Sequence, residues 1–131
     1  MSEENVEIVR RGYEAYRRGD HAEMLKETDP ELITYREAPD GATYHGREGL
    51  FQAIADWVED FEDFEMTAEE FIDANDHQVV VRVHQKAIGA QSGAPIEADF
   101  WFVHTVRGAK TTRLDMLTTK ARALEAAGLG G

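Results

Sequence analysis

The chain of 131 residues carries 26 acidic against 14 basic side chains, a formal net charge of −12, with 42% hydrophobic content and no cysteine. That balance argues against nucleic-acid and anionic-membrane partners, which need a basic footprint, and the missing cysteines exclude disulfides, thiolate metal sites and a cysteine nucleophile. The length fits one domain over residues 1–131, expected in the cytoplasm because there is no charged, apolar leader and no run approaching the roughly 18 apolar residues of a membrane span.

Ser2, followed by Glu3 and Glu4, reads as the N-cap of a helix with acidic residues complementing its dipole. Val6, Val9, Tyr13 and Tyr16 then recur at three- and four-residue spacing as one apolar stripe, and Gly19 supplies the stop. Asp20 and Glu23 resemble a capping box for a short second helix, HAEMLKE, which Asp29-Pro30 ends. ELITYRE alternates as a first strand, with Ile33, Tyr35 and Glu37 on the face expected to look inward and Leu32, Thr34 and Arg36 on the other, until Pro39 to Gly41 break it into a loop.

After Gly46, the spacing of Leu50, Ile54, Trp57 and Phe61 predicts a third helix with one apolar face. Phe64 to Ile72 follows as a strand whose alternation slips near Glu69-Glu70, the mark of a bulge. Three further strands, Gln78–Ile88, Ile96–Val106 and Lys110–Thr118, are joined by connections short enough for an antiparallel meander. Thr119 can cap a last short helix, and Gly128 can end it. Helices first and strands after them predict an α+β fold with helices packed on a curved sheet.

No Lys or Arg stands between Arg47 and Arg82, and ten carboxylates crowd the part of that interval from Asp56 to Asp76. Lacking calcium-loop spacing, this interval reads as a solvated face. The five histidines show no HExxH-like spacing, so no metal is expected. There is also no GxSxG and no phosphate-cradling glycine loop.

The order of elements, together with YHGREGLFQAIADWVEDF, AEEFIDANDHQVVVRV, ARALEAAGL, the opening VRRGYEAYRRGD and RGAKTTRLDML, resembles the SnoaL-like branch of the nuclear-transport-factor-2-like superfamily. The resemblance implies a cone-shaped α+β barrel enclosing a pocket, commonly a homodimer through the outer sheet face. Relatives include ketosteroid isomerases, polyketide cyclases, epoxide hydrolases and members with no known catalysis. Many members carry an Asp where this chain has Thr119, and either residue can cap the helix.

Alternation places Val79, Val81, Val83 and Gln85 inward on one strand and Leu114, Met116 and Thr118 inward on the last, leaving His84, Arg113 and Asp115 outside. IEADFWFVH is apolar on both faces, so alternation does not decide it. Setting Val83 opposite Trp101 puts Asp99 at the cavity mouth beside Gln85, sends Phe100 and Phe102 outward as dimer contacts, and leaves His104 outside. The isomerase resemblance implies an oxyanion-side acid approximately at Trp101 and a base near Glu37. It also implies a first-helix Tyr that falls on Gly12, beside Tyr13.

These readings define the expected site. Glu37 is the candidate base, its pKa raised by an apolar pocket, with pairing to Arg36 or Arg47 at the rim as the alternative. Asp99 is the acid or polariser. Tyr16, Tyr35, Trp57, Gln85, Trp101 and Met116 line the cavity, and His45 is a loop residue that could gate it. The expected function is cofactor-independent isomerisation, cyclisation or hydrolysis of an apolar cyclic or polyketide-like substrate. The alternative is a non-catalytic ligand-binding or dimeric scaffold domain.

Overall fold

Helix α1 (Ser2–Arg18) and the six-residue α2 (His21–Lys26) open the fold. The computed structural model describes residues 2–129, and the side chain of Ser2, with its expected cap, lies outside that description. Asp20 caps α2 as expected, its Oδ1 accepting the Glu23 N–H at 3.1 Å. Strand β1 (Thr28–Arg36) begins earlier than the sequence suggests. Asp29-Pro30 lies inside it, where the pairing is interrupted between Thr28 and Ile33, a place in a ladder that tolerates a missing N–H.

The segment expected as a loop holds a short strand, β2 (Ala42–His45), paired antiparallel to β1, so His45 ends a strand. Helix α3 (Gly46–Val58) stops before Phe61, which instead begins β3 (Phe61–Asp73). The bulge expected near Glu69-Glu70 is present as a register shift between Ala68 and Glu70, and a second shift falls between Glu62 and Glu65. Strands β4 (Gln78–Gly89), β5 (Pro95–Arg107) and β6 (Lys110–Leu117) form the meander. Gly108 and Ala109 join the last two in a two-residue turn with both φ positive, 57° and 64°. Helix α4 (Lys120–Ala126) is capped by Thr119, whose Oγ1 accepts the Arg122 N–H at 3.2 Å.

The sheet runs β2-β1-β6-β5-β4-β3, antiparallel except where β1 pairs with β6. It is curved but not closed into a barrel, so β2 and β3 are its edges. The inner face carries Leu32, Val79, Val81, Val83 and Phe102 against Ile8 and Val9 of α1 and Leu50 of α3. The valines are fully buried, each contributing about 1.5–3 kcal/mol by leaving water. The outer face has a smaller core of Val80, Val103 and Leu117 under Ala123 and Ala127, so α4 packs on the side opposite the first three helices.

Two expected faces are inverted. On β5, Val83 lies opposite Phe100 and Arg82 opposite Trp101, one residue from the expected register, and a one-residue slip exchanges every side chain between faces. Phe100, Phe102 and His104 therefore point inward, while Asp99 and Trp101 lie on the outer face with Val103. On β1, Leu32 and Arg36 line the interior, while Tyr35 packs into the outer core. The faces of β4 and β6 are as expected.

Candidate functional site

A cavity of about 110 Å³ lies between the inner sheet face and helices α1 and α3. Its walls are mostly apolar, with Ile8, Leu50, Ile54, Met66, Phe100 and Met116 among them. Tyr16, Trp57, Gln85 and Met116 are placed there as the sequence suggests. Trp57 reaches the cavity from the last turn of α3, meets Phe100 edge-on with centroids 5.5 Å apart, and donates Nε1–H to Gln85 Oε1 at 2.8 Å. Burial raises the Tyr16 pKa.

The expected acid and base are elsewhere. Glu37 lies just past β1, where its Oε1 accepts both the Thr118 N–H at 2.9 Å and the Thr118 hydroxyl at 2.7 Å, and its Oε2 pairs with Arg122 at 2.6 Å. Those bonds from Thr118, helped by the Arg122 charge, lower its pKa, the reverse of what a base in an apolar pocket requires. Glu37 ties the end of β1 to the β6–α4 junction. Asp99 is 40% exposed on the outer face, held at 2.6 Å by His84 Nδ1 and at 3.4 Å by Arg82. The His84 bond, then the charges of His84 and Arg82, lower its pKa, and Asp99 lies on the outer face, away from the cavity lining.

Trp101 and Tyr35 also leave the expected lining. Both pack in the outer core, and Lys120 Nζ lies 5.3 Å from the Trp101 ring centroid. Because Phe100 and Phe102 face inward, they are not the exposed aromatics that suggested a dimer contact. His45 precedes α3 without a side-chain bond to its N-terminus.

The polar groups that do reach the cavity include Tyr13 and His104. The Tyr13 hydroxyl and His104 Nε2 lie 2.8 Å apart, and the two rings meet edge-on at 5.3 Å. His104 is 9% exposed, and its Nδ1 has no hydrogen-bond partner. Burial pushes the imidazole down to about 3 and the Tyr13 phenol up, so both are neutral near pH 7. One carboxylate, Glu27, lines the cavity among the described residues, and its Oε1 is engaged by Arg11 at 3.0 Å. Arg36 also reaches the cavity wall from β1.

The signal for His104 was present in the β4–β5 connection. Gly89 N–H donates to Ala94 O at 2.9 Å, closing a four-residue loop with Gly93 at φ 68°, and that closure sets the whole β5 register. Tyr13 was visible on the apolar stripe of the first helix, but its partner was not.

These features define an α+β protein whose open, curved sheet wraps an internal apolar cavity beneath its N-terminal helices. The chain belongs to the SnoaL-like domain family, whose model matches residues 9–114. Among solved structures, it is similar to a nuclear-transport-factor-2-like protein from Burkholderia thailandensis at 20% identity and TM-score 0.76, with 96% of each chain covered. It is similar to TerC co-crystallised with polyporic acid at 21% identity and TM-score 0.74, covering 95% of this chain and 98% of that one. A protein of ketosteroid-isomerase-like fold from Catenulispora acidiphila, in complex with trimethylamine, is 18% identical with TM-score 0.70, covering 94% and 93%. No curated protein matches the sequence. Likenesses at these identities show the fold alone, and no helix among the described residues is long and apolar enough to cross a membrane.

Proposed function

We propose that this protein binds a compact, mainly apolar cyclic molecule in the cavity between α1, α3 and the inner sheet face. The observation that carries the reading is the pairing of an apolar void of about 110 Å³ with the buried Tyr13–His104 couple on its wall. A void of this order suits a single ring, since engineered apolar cavities of about 150 Å³ take up benzene. The couple supplies a polar handle: with His104 Nε2 carrying the proton, Nε2–H donates to Tyr13 and frees the hydroxyl to donate to a ligand carbonyl or alcohol.

Carboxylate acid–base catalysis is not part of this proposal, because Glu37 and Asp99 are engaged outside the cavity. A second reading, a cofactor-independent isomerase or cyclase, is favoured by the Tyr13 hydroxyl, which could polarise a carbonyl. His104 supports it poorly, because an imidazole held near 3 is a weak base at neutral pH. Binding without turnover therefore has the stronger support. The homodimer implied by the family resemblance is proposed on the part of the outer sheet face that α4 leaves free.

The test is to titrate the protein with cyclohexanone and benzyl alcohol while following tryptophan fluorescence and thermal stability. Wild type should respond and Ala53→Phe, which puts a ring into the void, should not. No response in wild type, or an equal one in Ala53→Phe, removes the cavity reading. Deuterium exchange next to the cyclohexanone carbonyl, present in wild type and lost in Tyr13→Phe, would favour the enzyme over the binding protein.

A further inference from the structure

We infer that the molecule this cavity takes is an anion, a small apolar body bearing a carboxylate or similarly acidic oxygen, and that Arg36 recognises the charge. The inference rests on the cavity reading above and narrows its ligand class. Arg36 shares an inner-face row with Met116 and Phe102 through the β1–β6 and β6–β5 registers. Its guanidinium carbon lies 5.8 Å from the Trp57 ring centroid and 5.7 Å from that of Tyr44, so the planar group is held against aromatic walls.

Its hydrogen bonding is incomplete. Nη2 donates to the Tyr44 hydroxyl at 3.0 Å, while Nε is buried and has no partner. A guanidinium is always charged and offers five N–H donors, so most of this capacity is unspent. Tyr44 donates onward to Asp56 Oδ2 at 2.9 Å, and Gln52 takes Asp56 Oδ1 at 2.6 Å. The carboxylate is thus reached only through a tyrosine. Among the described residues, no carboxylate lies within ion-pair distance of Arg36, although Arg10, Arg11, Arg82, Arg113 and Arg122 each have one. In a chain with 26 acidic residues, the arginine on the cavity wall is left without a direct counterion.

A planar fork within cation–π distance of two rings and free of a carboxylate is suited to a ligand carboxylate. Two strand spacings and one two-residue step put the Cα atoms of Arg36 and His104 about 12 Å apart. An anion at Arg36 therefore leaves the apolar body of the ligand directed along the sheet toward Tyr13 and His104.

The probes are benzoate and its neutral counterpart benzamide, titrated at pH 7.5 into wild type, Arg36→Gln and Arg36→Lys by calorimetry with tryptophan fluorescence. Wild type should prefer benzoate by about tenfold or more. Arg36→Gln should bring the two affinities level, chiefly by weakening benzoate, and Arg36→Lys should keep part of the preference. Equal affinities in wild type, or an undiminished preference in Arg36→Gln, overturn the inference and leave the cavity reading standing. Binding of neither probe to wild type overturns both. If Arg36→Gln does not unfold cooperatively, the wild-type comparison and Arg36→Lys decide: a preference undiminished in Arg36→Lys as well assigns the charge to another group and overturns the inference.

Discussion

Replacing Tyr13 by Phe removes one hydroxyl and leaves His104, 9% exposed, with neither ring nitrogen bonded, because Nδ1 already lacks a partner. The cost combines a net hydrogen bond of about 1 kcal/mol with about 1 kcal/mol for a newly unpaired buried nitrogen, or ~2 kcal/mol. The unfolding entropy of a chain this size is about 0.28 kcal/mol/K, so the Tm should fall by about 7 °C. Tyr13→Phe/His104→Leu removes both partners together and should recover most of the loss, since an apolar pair has no bonds left unmade. Urea unfolding at pH 7.5, followed by tryptophan fluorescence, reads both variants. A Tyr13→Phe variant within about 0.5 kcal/mol of wild type would refute the reasoning, as would a double variant weaker than the single one.

His104 and His84 should give stability terms of opposite sign with pH. His104 is held below its unfolded value of 6.5, to about 3, so its stabilising contribution is present above 6.5 and is lost as pH falls toward 3. Its slope is up to about 1.4 kcal/mol per pH unit, and His104→Leu should abolish that component in denaturation curves between pH 4 and 6.5. His84 is held above 6.5 by its bonds to Asp99 and Glu97, so its contribution is present below 6.5 and lost as pH rises through the raised value. His84→Gln should therefore destabilise more at pH 5.5 than at pH 8.5, and an equal cost at both would contradict the imidazolium assignment. Glu37→Gln should cost about 1–2 kcal/mol at pH 7 with cavity ligand affinity unchanged. That loss should shrink as pH falls through the lowered Glu37 value, and a selective loss of ligand binding would restore Glu37 to the site. Ala109, at φ 64°, should accept Gly with a gain of about 0.5–1 kcal/mol in thermal or urea unfolding, and a loss would show the left-handed turn to be unstrained.

The elements with one apolar and one polar face were readable from the sequence alone. Val79, Val81 and Val83 alternate with Arg82 and His84, so β4 has a single sensible orientation, and Leu114 and Met116 orient β6 in the same way. The Glu69-Glu70 bulge showed itself because a slip in alternation is a one-dimensional signal. β5 carries apolar residues on both faces because α4 covers Val103 from outside, so its hydrophobic pattern is silent on register. On β1, Leu32 lines the cavity with the polar Arg36, while Tyr35 is claimed by the outer core, an arrangement set by packing against β6 and α4 rather than by local periodicity. The cavity walls on α1, α3, β4 and β6 were consequently legible, whereas its polar residues on β1 and β5 were not. Asp99 answers to its cross-strand neighbour His84, and only the register reveals that pairing.

β3, thirteen residues long, ends the sheet and turns one side of its backbone away from the other strands. A long bare edge is a template on which a second copy can add a strand, the first step of fibre growth. Here the ladder is broken twice, and Glu62, Glu65, Glu69, Glu70 and Asp73 stand exposed along it. Two such edges brought together would set carboxylate against carboxylate with no Lys or Arg on either strand to relieve the repulsion. The acidic interval thus acts as a guard against polymerisation, and that guard weakens wherever its charge is neutralised, in acid or under saturating divalent cations.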